Sequence, residues 1–193
     1  MKAPFLALLI PCAVLAACSR AEAPTIAEAP PAAPASAPAP AAAVSAATAQ
    51  ATLAGASGTS VQGSLQLTAV SNGVMLAGDI TGLEPNTEHG FHVHDIGDCS
   101  APDAKSAGAH FNPAHVEHGG PTSAVRHLGD IPNIQSDASG HATVSATIAG
   151  ATLRDGGPDD LLGKSIIVHA KRDDYKTQPS GDSGDRIACG VVQ

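Results

Sequence analysis

The sequence predicts an all-β domain, a sandwich or barrel of short strands. Three observations carry that prediction. Short β-branched or apolar runs recur, and at least one alternates apolar and polar residues with period two. Clusters of Gly, Asn, Asp and Pro punctuate these runs. No stretch sustains a helical period. The chain has 193 residues, with 20 Gly, 15 Pro, no Trp and 2% aromatics, so its core must be built from Val, Ile, Leu and Ala. That length leaves room for one domain plus extras. The net charge of −8 and the lack of any basic run exclude nucleic acid as a partner, since phosphate binding needs a basic face.

The N-terminus reads as a targeting segment. Met1-Lys2 is a short basic start, and the apolar run Phe5–Leu15 is too short to span a bilayer. Leu15-Ala16-Ala17-Cys18 resembles a bacterial lipoprotein box, with cleavage before Cys18 and acylation of that residue. Ala21-Glu22-Ala23 offers ordinary signal-peptidase cleavage as the alternative. Residues 1–17 are therefore assigned to a lipoprotein-type signal peptide, and the protein leaves the cytoplasm on either reading. Ser19 after the cysteine points to the outer membrane, with the domain facing the periplasm. A soluble periplasmic protein is the alternative. The only membrane contact expected is through lipid on Cys18. Residues 18–49 are Ala/Pro-rich and aperiodic, which suits an extended, solvated tether. Residues 50–193 are long enough for one core.

Within that domain, Val61–Thr68 alternates apolar and polar residues and reads as a strand. Asn72-Gly73 then marks a hairpin into the run Val74–Ile80. Glu84-Pro85-Asn86 is a turn before GFHVHD, residues 90–95. In a strand, His92 and His94 share one face, about 7 Å apart at the backbone, and Val93 points into the opposite layer. Two imidazoles so placed can converge on one metal ion; the plainer reading is one exposed and one packed histidine. Residues 95–135 form a long Gly/Pro-rich segment, and a loop of that length inside a compact domain is usually functional. Asp137–Gly140 is another turn, and Ala142–Ile148 and Ile166–His169 are the next strands.

The histidines fall into two sets by ligand chemistry. His110, His118, His127 and Asp130, all from the long loop, offer three nitrogens and one carboxylate, which suits a closed tetrahedral zinc. His92, His94 and His169 lie on strand-like segments and offer nitrogen only, which favours copper over hard cations. His89 reads as packing, His115 as an exposed bystander or weak extra ligand, and His141 as a surface residue starting a strand. Lys105 is either an anion-steering residue or an ordinary solvated lysine. Of the four cysteines, Cys12 leaves with the signal and Cys18 would carry lipid. Cys99 and Cys189 remain, an even pair in an oxidising compartment or two buried thiols.

In order along the chain, GFHVHDIGDC, SAGAHFNP, HGGP, RHLGD, IIVHAKRDD and GDRIACGVV resemble the bacterial branch of the Cu,Zn superoxide dismutases, from residue 90 to the C-terminus. The resemblance implies a flattened eight-stranded Greek-key barrel or sandwich with long metal-binding and electrostatic loops. It implies copper on His92, His94, His110 and His169, and zinc on His110, His118, His127 and Asp130, with His110 shared by both ions. Asp173 would link His92 to His118, and Cys99–Cys189 would be a disulfide. Arg186 would sit at the copper opening and guide superoxide, a small anion. Monomer and homodimer both remain open. A cupin-type barrel also begins with H-x-H, but it needs a Glu soon after the pair, where this chain has Asp95 and Asp98. A metal-buffer domain would lack the guiding arginine or part of the copper set.

Overall fold

The computed structural model describes residues 46–193. The expected signal peptide, Cys18 and all but the last residues of the expected tether lie outside that range. The strands are β1 (Thr48–Gly55), β2 (Gln62–Val70), β3 (Gly73–Thr81), β4 (Glu88–His89), β5 (Phe91–His94), β6 (Ile134–Gln135), β7 (Ala142–Ala149), β8 (Ser165–His169) and β9 (Arg186–Val191). One 3-10 turn, Lys105–Ala107, interrupts the long loop. Among the described residues no helix is long and apolar enough to cross a membrane.

Seven strands form one antiparallel sheet in the order β5-β8-β9-β1-β2-β3-β7, and β4 pairs β6. The neighbours β9–β1, β3–β7 and β5–β8 are non-consecutive, so the chain crosses over as in Greek-key folds. Alternation explains the core. Ala49, Ala51 and Leu53 of β1, Leu65 and Leu67 of β2, Val74, Leu76 and Ile80 of β3, and Ala142, Val144 and Ile148 of β7 all point inward. They meet Phe91 and Val93 of β5 and Ile166 and Val168 of β8 in one cluster. Both edge strands thus feed the same core, and the sheet curls to allow it. β1 mediates the curl, pairing β2 from Thr48 to Leu53 and β9 at Ala54 and Gly55.

Three details differ from the sequence expectation. The folded region includes Thr48, which pairs Thr68, so Thr48 and Ala49 belong to β1 rather than to the tether. Two of the three inward residues of β1 are alanines, which give little hydrophobic signal. Among the described residues there are nine hydrogen-bonded strands rather than eight, because β4 and β5 are one run broken at Gly90. There the backbone turns to another partner: Gly90 N donates to Lys171 O (2.7 Å). A Cβ on Gly90 would stand 2.8 Å from the Ser183 side chain. The missing side chain lets the segment between β8 and β9 pass close over β5. The hairpin turn is Ser71-Asn72, with Gly73 already paired to Val70.

Candidate metal centre

β5 lies at the edge of the sheet, so one row of its backbone groups has no strand partner. The long loop fills that row. Asp95 N donates to Ala109 O (2.9 Å), Phe111 N to Val93 O (2.8 Å), Val93 N to Gly129 O (3.0 Å) and Gly129 N to Phe111 O (2.8 Å). This zipper sets His110 opposite His94 and Asp130 opposite His92. His92 pairs Ile167 of β8, so His169, two residues on, shares its face. Phe91 and Val93 take the core, leaving His92 and His94 under the loop, as period two requires.

The result is two adjoining groups of buried ligands. In the first, His92, His94, His110 and His169 each offer a ligand atom, all within 4.8 Å of one another. In the second, the same holds for His110, His118, His127 and Asp130. The His92 and His110 ring centroids are 4.0 Å apart, and those of His110 and His127 5.5 Å.

Each strand imidazole has one nitrogen tied and one free. His92 Nε2 bonds Asp173 Oδ2 (2.8 Å), His94 Nδ1 bonds Gly108 O (3.0 Å) and His169 Nδ1 bonds Gly184 O (3.2 Å). With the proton on the tied nitrogen, the other carries a lone pair. His92 Nδ1, His94 Nε2, His110 Nε2 and His169 Nε2 are buried and make no hydrogen bond. Buried polar atoms are nearly always bonded, so four unpaired nitrogens gathered within 4.8 Å of one another form a set that could hold a cation. An all-nitrogen set fits copper.

The second group passes the same test. His118 Nε2 bonds Asp173 Oδ1 (3.0 Å), while His118 Nδ1 and His127 Nδ1 are unpaired. These two nitrogens lie 3.0 and 3.2 Å from Asp130 Oδ1 without hydrogen-bond geometry, and His110 Nδ1 lies 2.8 Å from it. A tetrahedron with zinc bonds of about 2.0–2.1 Å has edges of roughly 3.3 Å, close to this spacing. Asp130 Oδ2 meanwhile accepts from Gly119 N (3.1 Å) and His127 N (2.8 Å), which fixes the carboxylate.

Burial lowers the pKa of His94 and His169 well below the ordinary histidine range, with neighbouring imidazoles adding to it. Burial likewise lowers His92, and it holds His110 down to about 4 despite Asp130. These rings are neutral near pH 7, the state a metal ligand needs. His118 is the exception in the metal-free protein: burial is outweighed by Asp130 and Asp173, which raise it to about 9. Burial raises Asp130 and Asp173, but their imidazole partners overcome it and hold both carboxyls well below the usual range.

A cleft of about 800 Å³ opens over the first group, lined among others by His94, His110, His169, Lys164 and Arg186. Arg186 reaches it through a bulge. Ile167 pairs Cys189, yet His169 pairs Arg186, so Ile187 is skipped and Arg186 shares the His169 face. Its guanidinium donates to Ala104 O (2.7 Å) and Gly108 O (2.6 Å). Lys164 is held by Asp95 (2.7 Å) and Lys105 by Asp103 (2.7 Å). Among the described residues Arg186 has no carboxylate within ion-pair distance, so it is the uncompensated cation of the cleft. Lys105 is 81% exposed and is not among the residues that line the cleft. Cys99 and Cys189 form a disulfide with Cα atoms 5.8 Å apart.

The remaining histidines are accounted for. His89 is buried, with Nδ1 on His169 O (2.8 Å), a packing role. His115 is exposed at the cleft wall, outside both ligand groups. His141 bonds Asp79 (3.0 Å) just before β7.

Three supporting residues escaped the sequence reading. Gln178 brackets His118, its Oε1 accepting from His118 N (2.8 Å) and its Nε2 donating to His118 O (2.9 Å). Asn133 brackets Asp173 in the same way, at 2.9 and 3.0 Å. Gly181 has φ +68°, and a Cβ there would run into the Asp173 carboxylate. The Pro179-Ser180-Gly181 turn signalled only the last of these.

The family model for copper/zinc superoxide dismutase (SODC) matches residues 61–192. The chain is 40% identical over 134 residues to superoxide dismutase (Cu-Zn) 1 of Aquifex aeolicus, covering 68% of this chain and 79% of that one. It is 41% identical over 138 residues to the superoxide dismutase (Cu-Zn) of Paramecium bursaria Chlorella virus 1, covering 68% and 72%. The crystal structure of a SOD-like protein from Bacillus subtilis superposes with a TM-score of 0.67 at 34% identity, covering 75% of this chain and 97% of that one.

Proposed function

From the premise that the chain belongs to the copper/zinc superoxide dismutase family, we propose how its own residues carry out the family's reaction. Two superoxide anions and two protons give dioxygen and hydrogen peroxide. His92, His94, His110 and His169 would hold copper, and His110, His118, His127 and Asp130 would hold zinc. The single observation carrying this reading is that His110 is common to both ligand groups, with its Nδ1 2.8 Å from Asp130 Oδ1 and its Nε2 buried and unpaired. Copper, when bound, supplies the reversible one-electron exchange with superoxide. Asp173 fixes His92 and His118 through their Nε2 atoms, so both present Nδ1. His110 Nε2 is buried and unpaired, and when it is not holding copper it would be the atom that carries a proton for peroxide.

Arg186 attracts the substrate. The chain carries a net charge of −8, so its overall field repels an anion. Guidance must be local, from an uncompensated cation in a cleft with low-dielectric walls. Arg186→Ile is expected to lower kcat/KM for superoxide by roughly tenfold at low ionic strength while copper and zinc contents stay whole. Added salt should narrow the difference. Equal rates for variant and parent at low salt would remove Arg186 from the mechanism.

The disulfide supports a working place in an oxidising compartment. In this reading the domain is exported and anchored by lipid on Cys18 to a bacterial outer membrane, facing the periplasm. Mass analysis of the mature N-terminus should find acylated Cys18, and Cys18→Ser should release soluble protein. A mature chain beginning at residue 24, after Ala23, would replace the anchor with ordinary cleavage.

A further inference from the structure

We propose that Arg126 is a positioning residue for the zinc half of the site. The proposal rests on the zinc assignment above. Arg126 is half-buried and immediately precedes His127. Its Nη1 donates to His127 O (2.8 Å), with longer contacts to Leu128 O (3.4 Å) and Asp130 O (3.5 Å). Its Nη2 donates to Ala149 O (3.2 Å), at the last residue of β7.

The first three carbonyls belong to the tight turn that carries His127 and Asp130, closed by Asp130 N on His127 O (3.2 Å). Gathering those carbonyls on one cation turns them away from the ligand side. Both side chains are then left on the other face, where Asp130 Oδ1 lies 3.2 Å from His127 Nδ1. The turn is also fastened at two ends of the sheet. On one side Val93 N of β5 donates to Gly129 O (3.0 Å). On the other, Arg126 reaches the end of β7. β5 and β7 are the two edges of the seven-stranded sheet, so Arg126 ties the ligand turn across the seam where the sheet fails to close. A planar guanidinium can serve both directions at once; an ammonium at the end of a lysine cannot hold the same fork.

The test is zinc affinity in the copper-free protein, measured by chelator competition for the parent, Arg126→Gln, Arg126→Lys and Asp130→Ala. Arg126→Gln should weaken zinc binding by about 10- to 100-fold, as loss of an outer-sphere support does. Arg126→Lys should fall between. Cobalt(II) placed in the same site should show an altered visible spectrum in Arg126→Gln, because the ligand geometry has loosened. The unfolding midpoint of the metal-free variant should stay near that of the parent. Unchanged zinc affinity overturns the proposal. So does a fall in affinity that merely follows a fall in metal-free stability with the cobalt spectrum intact, since Arg126 would then be a general brace. Asp130→Ala separates this from failure of the zinc assignment: if that variant also keeps zinc, the assignment is wrong, not only the role of Arg126.

Discussion

Asp130→Ala is expected to strip zinc from the protein, weakening its binding by at least roughly 100-fold. Two losses combine. Oδ1 is the point that His110, His118 and His127 all approach, so the variant removes the one anionic ligand of four. Oδ2 holds Gly119 N and His127 N, so the variant also frees the backbone on both sides of the site. Metal analysis of the purified variant is the direct measurement, and a full complement of zinc would mean that the loop ligands are misassigned. A second readout needs no metal. In the chelated parent, His118 has a folded pKa of about 9 against an ordinary 6.5, sustained by Asp130 and Asp173. A raised histidine contributes stability that is complete below pH 6.5 and is lost as pH rises through about 9. The metal-free parent should therefore lose stability between pH 7 and pH 9, read as a falling urea midpoint. Asp130→Ala should lose less, having given up one of the two carboxylates responsible.

The all-β class was legible in the sequence, and so were the residue types that could bind metal; the contacts that bring those residues together were not. H-x-H in a short apolar run has one period-two reading, and the structure honours it: Phe91 and Val93 enter the core while His92 and His94 face the loop. His118 and His115 are three residues apart in one polar stretch, and only burial separates them. His118 is locked by Gln178 and Asp173, whereas His115 sits exposed with φ +54°. Composition carries no trace of that difference. Arg186 poses a different problem. Strict alternation from Cys189 would put it on the opposite face, and the bulge that corrects its aim depends on register with β8. β1 gives little signal because two of its three inward residues are Ala49 and Ala51, too small to stand out beside the Ala/Pro-rich stretch, and only Leu53 is large. Asn133 and Gln178 work by giving side-chain amides to other residues' backbones, which no local pattern encodes. What could be read were residue types whose chemistry is specific; what could not were contacts fixed by topology.

Removing the disulfide, as Cys99→Ser with Cys189→Ser, is expected to cost stability first and rate second. The bridge spans 90 residues of chain. Closing a loop of that size is worth roughly 4–5 kcal/mol in the chain-entropy model. A typical domain has only about 5–15 kcal/mol to lose. The denaturant midpoint of the double variant should drop accordingly. The rate effect has a structural route. Cys189 packs with Ala56, Ala104, Ala107 and Ile167, and Cys99 lies against them. That small cluster seats the segment whose Ala104 and Gly108 carbonyls receive the Arg186 guanidinium, and Gly108 O also holds His94 Nδ1. Once the segment is released, Arg186 loses its aim while His92, His110 and His169 keep their own supports. The double variant should therefore retain copper and show a reduced kcat/KM whose salt dependence has flattened toward that of Arg186→Ile. The two variants part on stability: Arg186→Ile should leave the midpoint nearly where it was. A double variant that unfolds at the parent's midpoint would show that the bridge does not restrain the unfolded chain. One that is destabilised yet keeps the parent's full salt dependence would show that the Ala104–Gly108 segment holds Arg186 without it.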